Sequence, residues 1–287
     1  MKKYIKTTLQ WLTGLFSNIM VKTAVGRYCY DQITANAMRQ TQEVEYRDLR
    51  LKFSVPNSLN KYRANTFSSK EPETLDWIDD IPVGATLWDI GANVGLYTCY
   101  ACKARGCKVF AFEPSVFNLE LLARNIFNND IAEQVTIVPL PLSDGLAFNK
   151  LHMTSTVWGG ALSTFGQSYG HDGESINKIF EFPTVGLSIS EAVALLKIPQ
   201  PDYIKMDVDG IEHLILKGAV PILSKVKGIL IEINDNFADQ AAQASKCLKE
   251  AGFTLIKKKH ADCFDSADSA AKYTFNQIWL NQESVDR

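Results

Sequence analysis

The stretch that decides the fold is LWDIGANVGLYT, residues 87–98. An apolar run leads into an acid, Asp89, and Gly91, Asn93 and Gly95 follow at once. Glycines at such a bend let the backbone approach another group very closely. The stretch therefore predicts a strand, a tight turn and a helix, with either a ligand or a neighbouring element packed against the turn.

Outward from this turn, apolar strands alternate with amphipathic helices. Unbroken apolar runs are typical of a parallel sheet that is covered on both faces. Only a loop, 260–274, separates the last two strands, which implies an antiparallel end. We expect an α/β fold: a Rossmann-like doubly wound seven-stranded sheet, mostly parallel with an antiparallel last strand, plus an N-terminal helical/strand extension. The predicted strands are 85–90, 108–114, 135–140, 202–208, 228–234, 253–259 and 275–280, and the predicted helices include 94–105, 188–197 and 237–251.

We expect two parts: an N-terminal extension over residues 1–60, with an amphipathic helix and a strand, and the α/β domain over 61–287. A strand is predicted at 47–56, and KEPETLDWIDD reads as a helix with Pro72 in its first turn. The glycine-rich segment 145–185 interrupts the alternation of strands and helices. Such insertions are usually loops over a site, or partly disordered, and we expect the same here.

The N-terminal segment is amphipathic. Polar residues interrupt its apolar part, so it fits neither a membrane-spanning helix nor a secretory signal. Its apolar side chains fall at helical spacing after a basic start, and we expect them to pack on the main domain. Contact of residues 1–25 with a membrane surface is the alternative, because basic amphipathic helices do both. The stripe comprises Trp11, Leu12, Leu15, Phe16 and Ile19.

Charge and cysteine content limit the class of protein. The 287 residues carry a formal charge of −2, so no basic field points to nucleic acid as a partner. The six cysteines lack the paired spacing of a zinc site and predict reduced thiols. We therefore expect a cytoplasmic protein, with a peripheral position at the inner membrane surface as the alternative.

Polar residues collect where the predicted strands end, which is where a doubly wound sheet binds its ligands. No Lys-Ser/Thr pair follows the glycines as in a phosphate-binding P-loop, and Gly91-x-x-x-Gly95 is not the dinucleotide spacing. An acid at Asp89 suits an ammonium group better than a pyrophosphate, and Glu113 can accept both hydroxyls of a ribose. A ribose and a positive group without pyrophosphate describe S-adenosylmethionine. The strand-end residues are Asp89, Glu113, Ser143, Asp144, Asp207, Asp209, Asn234 and Asp235.

Five motifs in order, WDIGANVGLYT, VFAFEPS, PLSD, YIKMDVDGIEHLILKGA and ILIEIND, resemble the class I S-adenosylmethionine-dependent methyltransferases, and most closely the FkbM family. The resemblance covers residues 60–280 and implies O-methylation of a hydroxyl on a sugar, glycan or related small molecule. It also implies residue roles. Asp89, Gly91, Asn93 and Gly95 would line the methionine half of the cofactor, Glu113 would hold the ribose, Ser143 and Asp144 would flank the adenine, and the segment with Lys70 and Glu71 would close over the methionine end.

A base that takes the acceptor's proton would assist the transfer. The candidates lie in MDVDGIEH: Asp207, Asp209 and His213, although Asp209 and Glu212 also have capping-box spacing. We expect no metal, while Asp207, Asn234 and Asp235 leave magnesium neither required nor forbidden. Two other functions stay open: a non-catalytic cofactor-binding or scaffolding subunit with the same fold, and a nicotinamide-dependent Rossmann enzyme.

Overall fold

The computed structural model describes residues 2–260, Asp265 and residues 272–282. The helices are α1 (Lys2–Met20), α2 (Ala24–Arg39), α3 (Ser58–Asn65), α4 (Pro72–Asp80), α5 (Leu96–Arg105), α6 (Val116–Asn128), α7 (Ile189–Leu196), α8 (Glu212–Leu223) and α9 (Ala238–Glu250). The strands are β1 (Thr41–Tyr46), β2 (Leu49–Ser54), β3 (Thr86–Ile90), β4 (Lys108–Phe112), β5 (Val135–Val138), β6 (Ala147–Met153), β7 (Ser163–Phe165), β8 (Phe180–Gly186), β9 (Tyr203–Met206), β10 (Gly228–Asn234), β11 (Phe253–Lys259) and β12 (Thr274–Asn281).

The main sheet has seven strands in the order β11-β12-β10-β9-β3-β4-β5. β12 runs antiparallel to both of its neighbours, and the pairs from β10 to β5 are parallel. This confirms the predicted sheet, including its antiparallel last strand. The strand order reverses between β3 and β9, and in doubly wound sheets the crevice at such a reversal receives the ligand.

Two apolar cores cover the two faces of this sheet, as expected for strands that are buried on both sides. On one face the rings of Trp88 and Phe112 lie 4.8 Å apart, centroid to centroid. On the other face Tyr100 of α5 packs with Phe67, and Leu230 of β10 belongs to the same core. Because helices cover both faces of the sheet, the C-terminal ends of its strands are left as the place where a ligand can enter.

The expectation of a loop at 145–185 is wrong. The segment folds into a small antiparallel sheet in which β6 pairs with both β7 and β8. Its inner face buries Leu151, Met153 and Phe165 in the main core, so the insertion has enough apolar surface to be ordered. At Gly186 an added Cβ would lie 2.3 Å from the Phe165 ring, which explains one glycine of this segment by packing.

The region before residue 60 is more structured than the sequence indicated. The strand predicted at 47–56 is β2, and it pairs with β1, a strand that the sequence analysis missed. Side chains of α6 hold the backbone of β2: Asn125 Oδ1 accepts from the N–H of Ser54 at 2.7 Å, and Asn129, the C-cap of α6, accepts from Lys52. The hairpin is therefore attached to the α/β domain.

Helices α1 and α2 form a helical arm, residues 2–39, and here the expected packing on the main domain is wrong. The apolar stripe of α1 stays exposed: Trp11 is 65% and Phe16 63% accessible. Within the described part of the chain, neither helix has a buried side chain. Among the described helices, none combines the length and the apolarity needed to span a bilayer.

Most of the predicted loop 260–274 lies outside the described residues, and so does Cys263. The other five cysteines are described, and all five are free.

Candidate functional site

Two adjoining cavities open at the C-terminal edge of the main sheet, where the strand order reverses. The inner cavity, of about 70 Å³, lies toward β4, and the outer cavity, of about 340 Å³, lies toward α3, α4 and β10. Five residues line both: Gly91, Asn93, Ala161, Asp207 and Asp209. A single elongated ligand can therefore contact both cavities.

The glycines of the first turn serve the fold as well as the site. At Gly91, with φ of +82°, an added Cβ would lie 1.8 Å from the carbonyl oxygen of Asp207. At Gly95, with φ of +80°, it would lie 2.4 Å from Cδ1 of Leu122 in α6. Both glycines allow close approach of neighbouring elements. Only Gly91 also lines the cavities, since Gly95 is not among their lining residues in the described chain.

Glu113, at the end of β4, presents a buried carboxylate to the inner cavity. Its Oε2 accepts from the N–H of Asn93 at 2.8 Å, and its Oε1 accepts from the N–H of Ser115 at 2.8 Å. Burial raises the pKa of Glu113 to about 7, although these hydrogen bonds pull it down. Asn118 Nδ2 also makes a long contact with Oε1, at 3.5 Å. Oε2 keeps a free lone pair, and a ligand donor can replace the long contact at Oε1, so two donors can bind from the cavity side.

The rest of the inner cavity is mainly apolar. Ser143 and Asp144, predicted to flank the ligand here, are absent from its lining in the described residues. Asp144 instead forms an ion pair with Lys217 at 2.9 Å, and this hydrogen bond lowers the pKa of the carboxyl. The chain before them supplies Leu140, Pro141 and Leu142. The other apolar lining residues include Ile90, Phe112, Leu151, Phe165 and Ile211.

A buried ion pair lies at the centre of the sheet, behind the outer cavity. Asp89 and Lys205 are register partners on β3 and β9, with Lys205 Nζ 3.6 Å from Asp89 Oδ1 and 3.5 Å from Asp207 Oδ2. Thr98 Oγ1 donates to the other oxygen of Asp89 at 2.5 Å. Lys205 lines the outer cavity, whereas Asp89 is not in either lining as far as the chain is described. Asp89 therefore acts on the site through Lys205.

This ion pair keeps the lysine charged. Burial alone would lower the pKa of Lys205, but the charges of Asp207 and Asp89 outweigh it, so the pKa is raised. The ammonium also lies 5.4 Å from the centroid of the Tyr97 ring.

Three carboxylates converge in the outer cavity: Glu71, Asp207 and Glu232 each place an oxygen within 4.8 Å of the others. Lys70 Nζ bonds Glu71 Oε1 at 2.7 Å. Burial opposes ionisation of Glu71, but Lys70 and Lys205 outweigh it and lower its pKa. Glu232 forms no hydrogen bond within the described residues, and burial beside Asp207 and Glu71 raises its pKa well above the ordinary value.

The three carboxylates could hold a cation, but any cation would compete with two ammonium groups, and an acidic cluster alone assigns no metal. The other two residues considered for magnesium have their own contacts. Asp235 pairs with Lys258 at 2.6 Å, and Asn234 Oδ1 accepts from the N–H of Asn236.

Asp209 holds the backbone of the insertion. Its Oδ2 accepts from the N–H groups of Leu162 at 2.7 Å and Ser163 at 3.2 Å, while burial and the charge of Asp207 raise its pKa to about 6. The capping box expected between Asp209 and Glu212 does not form, because α8 begins only at Glu212. Glu212 accepts instead from the N–H groups of Val208 and Gly210, at 3.1 Å each.

His213 lies apart from the cavities. It is buried, its ring centroid lies 6.0 Å from that of Phe237 at 77°, and burial lowers its pKa. In the described part of the chain its Nδ1 has no hydrogen-bond partner, and neither cavity includes it. Its position therefore gives no support to a direct part in proton transfer.

Several residues of the outer cavity were missed by the sequence analysis. Lys205 and Glu232 are charged residues inside the otherwise apolar strands YIKM and ILIEI, and that interruption was the available signal. The register places Glu232 beside Asp207 on the same face as Lys205. The outer cavity is also lined by residues that were not predicted for the site: Arg63, Tyr97, His171, His260 and Asn276.

A strap, residues 158–162, passes over the boundary between the two cavities. Its backbone is bonded by side chains from separate parts of the fold, so it is fixed from several sides. Arg63 Nη2 donates to the carbonyl of Gly159 at 2.6 Å, and Asn93 Nδ2 donates to that of Gly160 at 2.9 Å. The other side chains that bond the strap are those of Asn57, Asn60, Asn118, Thr154 and Asp209.

The residues present fit S-adenosylmethionine. The apolar inner cavity suits a flat base, and Glu113 beside it offers acceptors for two hydroxyls. Asn93 Oδ1 is buried with no partner among the described residues, so a donor on the ligand would satisfy it. In the outer cavity, Asp207 suits the ammonium and Lys70 the carboxylate of the cofactor's amino-acid group.

Comparisons with known proteins identify a methyltransferase family. A family model described as "Methyltransferase FkbM domain" matches residues 89–255, more than half of the chain. A curated relative, hexuronic acid methyltransferase AglP of Haloferax volcanii, is 25% identical over 243 residues, covering 80% of this chain and 89% of the relative.

Two solved structures are also similar. Methyltransferase FkbM from Methylobacillus flagellatus KT is 14% identical with a TM-score of 0.49, covering 77% of this chain and 52% of that one. Precorrin-6y C5,15-methyltransferase from Geobacter metallireducens is 15% identical with a TM-score of 0.42, covering 74% and 87%.

Proposed function

The chain belongs to the FkbM methyltransferase family, and from that premise we propose that it O-methylates a hydroxyl of a sugar, glycan or related small molecule. S-adenosylmethionine is the methyl donor of this family and supplies the methyl group from its sulfonium sulfur. The curated relative that acts on a hexuronic acid supports a sugar as the acceptor. Family membership also disfavours the nicotinamide-dependent alternative.

In this proposal the adenosine half of the cofactor binds in the inner cavity, and its methionine half binds at the boundary with the outer cavity. We assign the ribose hydroxyls to Glu113, with Asn93 beside it, and the adenine to the apolar lining of the inner cavity. The methionine end lies with Gly91 and Asp207 at the boundary, where Lys70 and Glu71 approach from the other side. The buried Asp89–Lys205 pair fixes the charge behind this position.

One observation carries the acceptor assignment: the outer cavity extends beyond the cofactor residues and contains the carboxylate of Glu232, which has no hydrogen bond in the described chain. A carboxylate without a protein partner can accept from an acceptor hydroxyl. Its neighbour Asp207 lines both cavities. Together they place hydroxyl-binding groups next to the cofactor residues.

Glu232 and Asp207 also supply a route for the proton. When the acceptor oxygen is methylated, its hydroxyl proton has to leave, and a positioned base speeds this step. Asp207 lies 3.5 Å from the ammonium of Lys205 and is held in place by that ion pair, so we assign it to orienting the hydroxyl. Glu232, whose carboxylate has no hydrogen bond within the described residues, is the proton acceptor.

A methyl-transfer screen tests the proposal. The protein is incubated with S-adenosylmethionine labelled in its methyl group and with a panel of glycans, including uronic-acid sugars. Product mass and NMR then locate the methyl group. We expect the label on a sugar oxygen, and recovery on nitrogen, carbon or sulfur would overturn O-methylation.

The same screen separates an enzyme from a non-catalytic subunit. A chain that binds the cofactor tightly but transfers its methyl group to none of the acceptors would favour the cofactor-binding or scaffolding alternative. Calorimetry of cofactor binding therefore accompanies every acceptor tested.

A further inference from the structure

The helical arm, residues 2–39, carries a wide apolar face on α1 that the described domain does not cover. At 100° per residue, its apolar side chains fall within one half of the helix circumference. All of them are exposed, from 45% accessible at Leu15 to 81% at Tyr4. The members of this face are Tyr4, Ile5, Leu9, Trp11, Leu12, Leu15, Phe16 and Ile19.

The charge of α1 and of the chain that follows it has one sign. Residues 1–30, which run from α1 into the first part of α2, contain five basic residues and no acidic residue, and Asp31 is the first acid. The five are Lys2, Lys3 and Lys6 in α1, Lys22 in the turn after it and Arg27 in α2. These 30 residues therefore carry a side-chain charge of about +5 in a chain whose formal total is −2.

We propose that α1 lies in the surface of an anionic lipid bilayer, with its apolar face in the acyl boundary and its basic residues at the headgroups. A helix with a strongly apolar face, a basic polar side and low net hydrophobicity binds in the plane of a membrane. Trp11 and Tyr4, with an apolar body and a polar tip, suit the headgroup level.

Charge selects a lipid surface over a second copy of this chain. Pairing two arms would bring two segments of about +5 together, and like charges at that distance repel. An anionic bilayer has the complementary charge and attracts basic residues near its surface, at about 1 kcal/mol for each. The arm joins the domain at β1, so it can bind while the sheet and its cavities stay unchanged.

Vesicle flotation of the full chain tests the proposal, with phosphatidylglycerol-containing and pure phosphatidylcholine vesicles as probes. Two variants add the same charge two residues apart on opposite faces: Leu12→Glu on the apolar face and Gln10→Glu on the polar face. We expect binding to the anionic vesicles that weakens with added salt. Leu12→Glu should lower the partition coefficient about ten- to hundredfold, and Gln10→Glu far less.

Both variants should keep the wild-type melting temperature, because neither side chain is buried. Equal flotation of the two variants, or no binding of the wild type to anionic vesicles, would overturn the proposal. A wild-type dimer in light scattering that Leu12→Glu converts to monomer, without vesicle binding, would instead assign the apolar face to a second copy.

Discussion

Oδ1 of Asp89 lies 3.6 Å from the ammonium group of Lys205, and both side chains are almost fully buried. The pair spans β3 and β9, the two strands at which the order of the sheet reverses. The pair therefore lies at the centre of the sheet and at one wall of the outer cavity. We expect its loss to lower the free energy of unfolding more than it lowers cofactor affinity.

Replacing Lys205 by Met should destabilise the protein by about 3–5 kcal/mol, because Asp89 would remain buried without its counter-charge. Urea unfolding gives the free energy directly. Lys217→Met breaks the exposed pair with Asp144 and serves as the control, with an expected cost below about 1 kcal/mol. The double variant Lys205→Met/Asp89→Asn should recover part of the loss; equal losses in single and double variants would argue against this pairing.

Replacing Glu113 by Gln should weaken S-adenosylmethionine binding about tenfold or more, because charged hydrogen bonds contribute about 1.5–3 kcal/mol each. Isothermal titration calorimetry measures the affinity. The matched control is Glu120→Gln, on the exposed side of the following helix. An unchanged affinity in a folded Glu113→Gln protein would remove this residue from the ribose site.

Cofactor affinity should depend on pH through the same carboxyl. Burial raises the pKa of Glu113 to about 7, so the free protein increasingly holds this proton as the pH falls below 7. Donors on the ribose need the ionised form, so affinity should be constant above about pH 7 and fall by up to about tenfold per unit below it. Calorimetric titrations from pH 5.5 to 8.5 should show this loss of affinity below pH 7 in the wild type. The affinity of Glu113→Gln should depend less on pH. Parallel curves would mean that another group causes the dependence.

Glu232→Gln should slow methyl transfer about 10²–10⁴-fold in single-turnover assays and change cofactor affinity little, since loss of a general base has that effect. Asp207→Asn should affect both quantities, because Asp207 lines both cavities.

His213→Ala should lower the melting temperature and leave the transfer rate near wild type. Slow transfer in a stable His213→Ala protein would restore this histidine as a base.

Replacing Arg63 by Met should loosen the strap, because the side chain makes two hydrogen bonds to the carbonyl of Gly159. Hydrogen exchange followed by mass spectrometry should show faster exchange over residues 158–162. Arg124→Met, on the exposed surface of α6, is the control and should leave this exchange unchanged. Protection equal to wild type in Arg63→Met would mean that the remaining bonds hold the strap alone.

The main sheet could be predicted because its strands are buried on both faces and read as apolar runs between helices. The small sheet of the insertion could not, because β6 buries only its last three residues and β8 only Gly186, and their polar residues resemble those of a loop. For the arm, in contrast, the sequence predicted burial where the structure shows exposure. An apolar helical stripe predicts that something covers it, and the sequence does not say whether that is the same chain.

Site residues at strand ends were easier to predict than residues on helices. Glu113 and Asp207 follow strands, so the direction of the sheet alone brings them to one edge. His213 was expected in the cleft from a helix that would begin near Asp209, but α8 begins at Glu212. A change of even one residue in the start of a helix turns a side chain by about 100°. Lys205 and Glu232 needed the register between strands, which sequence alone does not supply.

The strap couples cofactor binding in the inner cavity to acceptor binding in the outer cavity. Ala161 lines both cavities, and the carbonyl of Gly160 is bonded by Asn93 and Asn118, which lie beside Glu113. A movement of the strap at Ala161 would therefore change both cavities at once. We expect a variant that loosens the strap, such as Arg63→Met, to alter cofactor affinity and acceptor affinity together.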